Sequence, residues 1–183
     1  MLSQETPLPG AFLIRPQRRE DERGFFCRTW CREEFAAHGL DCAWVQCNVS
    51  FNKHRGTLRG LHYQAAPWAE AKLVRCTMGA VYDVIVDLRR DSPGYLRWTA
   101  AELTAENRHM LFVPKGFAHG FQTLTDNTEV FYQMSEVYRA AAACGVRWDD
   151  PDLAIAWPDC PQRYLSPRDQ ALPALRLLAR PAA

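Results

Sequence analysis

Val81-Tyr82-Asp83-Val84-Ile85-Val86-Asp87-Leu88 is the stretch whose alternation decides the fold class. In an extended chain, successive side chains point to opposite faces. Tyr82, Val84, Val86 and Leu88 therefore share one face, while Val81, Asp83, Ile85 and Asp87 share the other. A period of two with so many β-branched residues predicts a strand. Just upstream, Gly79-Ala80 is short enough for a hairpin turn, so residues 71–78 are the predicted partner strand. Further strands are predicted over residues 44–49, 98–103, 110–114, 120–124 and 129–137. The 12 Pro and 10 Gly are scattered between these short apolar segments, which is the punctuation of an all-β chain. Helical periodicity is weak: one short helix is predicted over residues 33–38, stopped by Gly39, and another in the tail between residues 169 and 178. Seven or more short strands predict a sandwich, jelly roll or small barrel.

The 183 residues suit one domain spanning 1–183, with 22 Lys plus Arg against 21 Asp plus Glu and a formal net charge of +1. With 48% hydrophobic and 23% charged residues, the chain is neither disordered nor a polybasic nucleic-acid binder. No apolar run is long enough for a membrane helix, and the first ten residues lack the pattern of a secretory leader. The odd, irregularly spaced cysteines at 27, 31, 42, 47, 76, 144 and 160 read as reduced thiols, which predicts a cytoplasmic location.

Two segments carry the chemistry: Arg59-Gly60-Leu61-His62-Tyr63-Gln64, and Pro114-Lys115-Gly116-Phe117-Ala118-His119-Gly120-Phe121. They resemble the two signature stretches of the cupin superfamily, whose metal-binding members place His-x-His and a Glu in the first and a His in the second. Here the first reads His62-Tyr63-Gln64, and Glu70 is followed two residues on by Lys72. A three-histidine cage therefore lacks a ligand and gains a neighbouring cation, so no metal and no other cofactor is expected.

Further ordered motifs narrow the resemblance. Asp21-Glu22-Arg23-Gly24-Phe25-Phe26, Gln46-x-Asn48-x-Ser50, Lys72-Leu-Val, Asp83-Val-Ile-Val-Asp87-Leu-Arg89 with Ser92-Pro93, and Phe131-Tyr132 belong to it. So do Trp148-Asp-Asp150-Pro-Asp152-Leu, Ile155-Ala-Trp157-Pro158 and Leu165-Ser166-x-x-Asp169. Over roughly residues 10–172 the chain resembles the dTDP-4-dehydrorhamnose 3,5-epimerase family. The resemblance implies a homodimeric cupin-type jelly roll that epimerises C3, C5 or both of a nucleotide-diphosphate-linked 4-keto-6-deoxy sugar.

It also implies roles. His62 is the base, suited by the ordinary imidazole pKa of ~6.5, with Asp169 orienting it; apart from the resemblance, Asp83, on the strand face away from the apolar row, is the substitute partner. Lys72 supplies positive charge beside the enolate, and alternation puts it with Val74, Cys76 and Met78 on one face. Tyr132 is the acid that returns the proton, on the strand face opposite Phe131. Arg23 and Arg59 match diphosphate contacts, Gln46 and Asn48 match polar sugar or nucleotide contacts, and Tyr138 matches an aromatic ring stacked on the nucleobase. His119, from the second motif, is expected to make either a substrate hydrogen bond or a structural one.

The chain departs from the family pattern at three positions. Arg28 and Ala143 stand where the family carries glutamates, and Arg168 stands in place of a lysine. Loss of two carboxylate acceptors predicts an altered nucleotide or sugar preference, and Arg23, Arg28, Arg59, Lys72 and Arg168 are expected to form a locally basic pocket. The competing readings are an epimerase of one carbon only acting on another nucleotide sugar, a metal-dependent oxygenase using His62, Glu70 and His119, and a non-catalytic sugar-nucleotide binder.

Overall fold

The protein is described by a computed structural model covering residues 1–40 and 43–178. The strands are β1 (Leu2–Glu5), β2 (Phe12–Arg15), β3 (Arg19–Asp21), β4 (Gly24–Phe26), β5 (Gln46–Asn52), β6 (Leu58–Gln64), β7 (Lys72–Met78), β8 (Ala80–Asp87), β9 (Trp98–Thr104), β10 (Met110–Val113), β11 (Phe117–Thr123), β12 (Thr128–Met134) and β13 (Ala143–Gly145). The helices are α1 (Arg32–Ala36), α2 (Pro167–Gln170) and α3 (Leu175–Leu178).

Two antiparallel sheets face each other. One has the order β1-β2-β10-β7-β12-β5, the other β13-β6-β11-β8-β9, and β3-β4 form a separate hairpin. This is the expected jelly roll. Val74, Cys76, Leu111, Val113 and Val130 from the first sheet meet Val81, Ile85, Leu103, Phe117 and Phe121 from the second. At about 1.5–3 kcal/mol per fully buried large apolar side chain, this interleaving is the main cohesive term.

The apolar character of both faces of β8 has a structural cause. Val81 and Ile85 point between the sheets. Val84 and Val86 point outward beneath a cover made by Val146, Leu153 and Leu175 from the C-terminal segment. On the other sheet, Ile14, Leu73, Met110 and Phe112 are covered by Phe35 and Leu40. That cover stops short of the edge strand β5, where Val49 and Phe51 remain exposed.

Several expected boundaries move. The strand expected at residues 44–49 runs Gln46–Asn52, and the one expected at 120–124 starts earlier, at Phe117. The tail forms two short helices, with Pro173 between them. Met78 does not follow Lys72 inward. The β7–β12 register shifts between Glu129 and Val130, and Met78 is exposed. The described cysteines are free thiols; Cys42 lies outside the described residues.

Close approach of β6 and β11 positions the site. A Cβ on Gly60 would stand 2.6 Å from the Gly120 Cα and 2.8 Å from the His119 carbonyl oxygen, and Gly60 has φ of +118°. Only glycine meets both demands. The crossing sets His62 directly opposite His119 in the strand register.

Candidate active site

A cavity of about 540 Å³ opens between the sheets. Gln46, Asn48 and Ser50 line it from alternate positions of β5, Arg59 and His62 from β6, Lys72 from β7, His119 from β11 and Tyr132 from β12. Period-two alternation turns Gln46, Asn48 and Ser50 inward, whereas Arg59 and His62, three residues apart, both reach the cavity across the shift in the β6–β11 register between them. Tyr138, Ala143 and Arg168 close one side.

His62 Nε2 lies 2.5 Å from Asp169 Oδ1. Asp169 is presented by α2, where Ser166 is the N-cap and Pro167 the first helical residue. Ser166 Oγ accepts the Asp169 N–H and donates to Asp169 Oδ2. Asp169 is thus at once part of the cap and the partner of His62, and Asp83 is not that partner. Burial pulls the Asp169 carboxyl upward, but the hydrogen bond and charge of His62, with help from Ser166 and Arg59, hold it below the ordinary value. The carboxylate fixes the tautomer, leaving the other imidazole nitrogen with its lone pair.

Asp83 serves the second histidine: both its oxygens lie 3.0 Å from His119 Nε2. Its strand face, opposite the Tyr82–Val84–Val86 row, is the interior of the jelly roll, and Asp83 is wholly buried there.

Lys72 is not an uncompensated charge. Its Nζ lies 2.9 Å from Glu70 Oε1, and both side chains are buried. Nζ also donates to the His62 carbonyl at 3.3 Å. Glu70 in turn accepts the Gln64 N–H. The metal-ligand set considered from sequence is therefore already engaged elsewhere, His62 with Asp169, Glu70 with Lys72 and His119 with Asp83. Among the described residues there is no cluster of three potential metal ligands.

Tyr132 faces the cavity, whereas Phe131 points outward under the Arg75 guanidinium. Burial pushes the Tyr132 phenol above its ordinary value; the Arg59 charge works against that and Glu70 with it. His62 and Tyr132 come from different sheets. The cavity thus holds an oriented imidazole and a protonated phenol on separate walls, which can remove and return protons.

Two glutamines seat the aromatic side wall. Gln46 Oε1 accepts the Tyr138 N–H at 2.9 Å, and Gln64 Oε1 accepts the Arg139 N–H at 2.6 Å. Gln46 Nε2 donates to Asn48 Oδ1, and Arg168 Nη1 reaches the Tyr138 hydroxyl at 3.2 Å.

Arg23 and Arg28 do not line this cavity. Arg23 pairs with Asp21 within the β3–β4 hairpin, and Arg28 pairs with Glu34 on α1. Among the described residues the basic lining is Arg59, Lys72 and Arg168, and the one acid, Glu70, is neutralised by Lys72. Ala143 does line the cavity, so its missing carboxylate is felt there. Sequence reasoning missed the Glu70–Lys72 pair, although their i, i+2 spacing was visible, and missed Asn52, which continues the Gln46/Asn48/Ser50 alternation.

The sequence pattern described as dTDP-4-dehydrorhamnose 3,5-epimerase matches residues 5–176. A protein of that name from Sinorhizobium fredii is 43% identical over 175 residues, covering 96% of this chain and 90% of its own length. The crystal structure of the Bacillus anthracis dTDP-4-dehydrorhamnose 3,5-epimerase, with TDP and PPi bound, superposes with a TM-score of 0.92 at 44% identity, covering 95% of this chain and 99% of that one. A 3'-monoepimerase from Streptomyces bikiniensis, in complex with dTDP-quinovose, gives a TM-score of 0.87 at 37% identity, covering 93% of this chain and 86% of its own. The cupin-type jelly roll, the ordered motifs and these similarities converge: the chain belongs to the dTDP-4-dehydrorhamnose 3,5-epimerase family.

Proposed function

We propose that this chain epimerises a nucleotide-diphosphate-linked 4-keto-6-deoxy sugar at C3 and C5, without a metal or other cofactor. The observation that carries this reading is the His62–Asp169 pair facing a cavity whose other wall presents protonated Tyr132. The neutral imidazole takes the proton next to the ketone and becomes imidazolium, which the Asp169 carboxylate stabilises. The electron pair passes to the C4 oxygen as an enolate. Lys72, its charge balanced by Glu70, donates a hydrogen bond to that oxygen. The Tyr132 phenol returns a proton from the opposite face, and solvent exchange resets both groups. Turning the sugar ring presents the second carbon to the same pair.

Arg59 and Arg168 hold the diphosphate, Tyr138 stacks on the base, and Gln46, Asn48 and His119 make polar contacts. One domain carries all of this. The active form is a homodimer, a reading supported by the uncovered apolar side chains of edge strand β5, Val49 and Phe51, and by exposed Phe25 and Phe26; sedimentation at monomer mass would overturn it. A cytoplasmic location is supported by the free thiols, and among the described residues no helix is long and apolar enough to cross a membrane.

The test is incubation with dTDP-4-keto-6-deoxyglucose in D₂O. Deuterium at both C3 and C5 is expected, and its absence from both carbons would overturn the reading. The likeness to a 3'-monoepimerase favours one second reading, inversion of C3 alone, for which deuterium would enter only there.

A further inference from the structure

We propose that Asn52 is a positioning residue for nucleoside-diphosphate binding, presetting the Arg59 guanidinium before ligand arrives. This rests on the reading of Arg59 as a diphosphate contact.

Asn52 is the last residue of β5 and is 2% exposed. Its Oδ1 accepts the Arg59 Nε–H at 2.7 Å. Its Nδ2 donates to the Ser50 and Thr128 carbonyls, both at 3.1 Å. The orientation of this amide is fixed by chemistry. Flipped, it would set N–H against N–H at Arg59 and oxygen against two carbonyl oxygens. Every polar atom of the buried side chain is used, and one of its three bonds is spent on a side chain that is itself exposed.

That expenditure has no evident structural purpose at Arg59, which has no carboxylate partner among the described residues. Of the guanidinium, Nε is held firmly, and Nη2 has only a long contact, 3.5 Å, to the Phe51 carbonyl. The fork edge is left for a ligand, on the wall of the cavity. A long arginine loses rotamer freedom when it binds an anion. An acceptor that fixes Nε removes part of that loss beforehand, which tightens binding without adding a contact to the ligand. Arg59 also acts electrostatically on Asp169 and Tyr132, lowering both, so its placement reaches the proton-transfer groups as well.

The experiment is a double-mutant cycle on full-length chain, with dTDP as the probe. Asn52→Ala is expected to weaken dTDP binding about tenfold, and Arg59→Lys at least as much. The double variant is expected to bind within about threefold of Arg59→Lys alone, because lysine has no Nε–H to orient. In turnover, Asn52→Ala raises KM by a larger factor than it lowers kcat. Independent, multiplying losses, or unchanged binding by Asn52→Ala, would overturn the proposal while leaving Arg59 as a ligand contact. Unchanged binding by Arg59→Lys would instead remove the reading of Arg59 on which the proposal stands. Should Asn52→Ala fail to fold, the Arg59 Nε–H resonance of the unsubstituted protein decides. Slow exchange with water before dTDP is added supports presetting; protection that arises only with dTDP overturns it.

Discussion

Asp83 and His119 form a closed pair deep in the jelly roll, with both carboxylate oxygens 3.0 Å from the same imidazole nitrogen. The site thus contains two histidine–acid pairs, and only one has a readily wetted imidazole. The His62 side chain is 38% exposed and that of His119 10%. In the proposed mechanism, proton transfer with solvent falls to the more exposed pair, His62–Asp169. Asp169→Asn is expected to lower kcat by about 10²–10⁴, through the wrong tautomer and loss of the charge that supports imidazolium. Asp83→Asn is expected to lower it by about tenfold or less, with a larger effect on stability. Steady-state kinetics and thermal melts of the two variants check the ranking, and a reversed order would assign the base to His119.

Tyr132→Phe keeps the ring and removes the proton. Because burial holds the phenol above its ordinary 10.0, it is fully protonated at neutral pH in the unsubstituted protein. Product formation is expected to fall by about 10²–10⁴. Deuterium exchange from D₂O into the starting sugar should survive better than inversion, since His62 can still take a proton and return it to the same face. Mass spectrometry of recovered substrate measures this.

Asp169 also gives stability a pH dependence. Its carboxyl sits below its ordinary 3.8 in the folded chain, so on acidification the unfolded chain takes up the proton first. The stabilisation is full above about pH 4 and is lost as pH falls through the folded value. Asp169→Asn cannot show this loss. The gap in melting temperature between the two proteins, worth about 1–3 kcal/mol near neutrality, should therefore narrow below about pH 4.

Gly60→Ala places a methyl group 2.6 Å from the Gly120 Cα at a φ of +118°. Both the backbone conformation and the strand crossing resist it, and a loss of about 3 kcal/mol or more is expected. Denaturant unfolding checks it.

With Ala143 on the wall and Glu70 bound to Lys72, no free carboxylate lines this cavity among the described residues. Stacking and diphosphate charge do not discriminate strongly among bases. Affinities for dTDP, UDP, CDP and GDP are expected to lie within about tenfold of one another, a spread that calorimetry measures directly.

Much of this was legible from period and motif. The β8 alternation placed Asp83 and Ile85 on one face, and Lys72 was rightly expected on the same side as Val74. What the alternation could not supply was which face looks inward when both are covered. Asp83 was set apart from the apolar row, yet it occupies the interior. A pairing across distant chain segments was equally hidden: nothing local tells Asp83 to serve His119, 36 positions away. Strands β1 to β4 and β13 were missed because they are three or four residues long, too short for a period to declare itself. The seven-residue β6 was missed because Leu58-Arg59-Gly60-Leu61-His62-Tyr63-Gln64 does not alternate.

The short helix α2 carries adjacent residues with different tasks, Asp169 against His62 and Arg168 against Tyr138. Asp169 lies 107 positions after the histidine it aligns. During synthesis both sheets can be complete, with His62 in place, before α2 has been made. A nascent chain at that stage would hold an unoriented imidazole and an open side wall. Competence would then arrive in one late event, when a single turn of helix docks and aligns the base as it closes the wall.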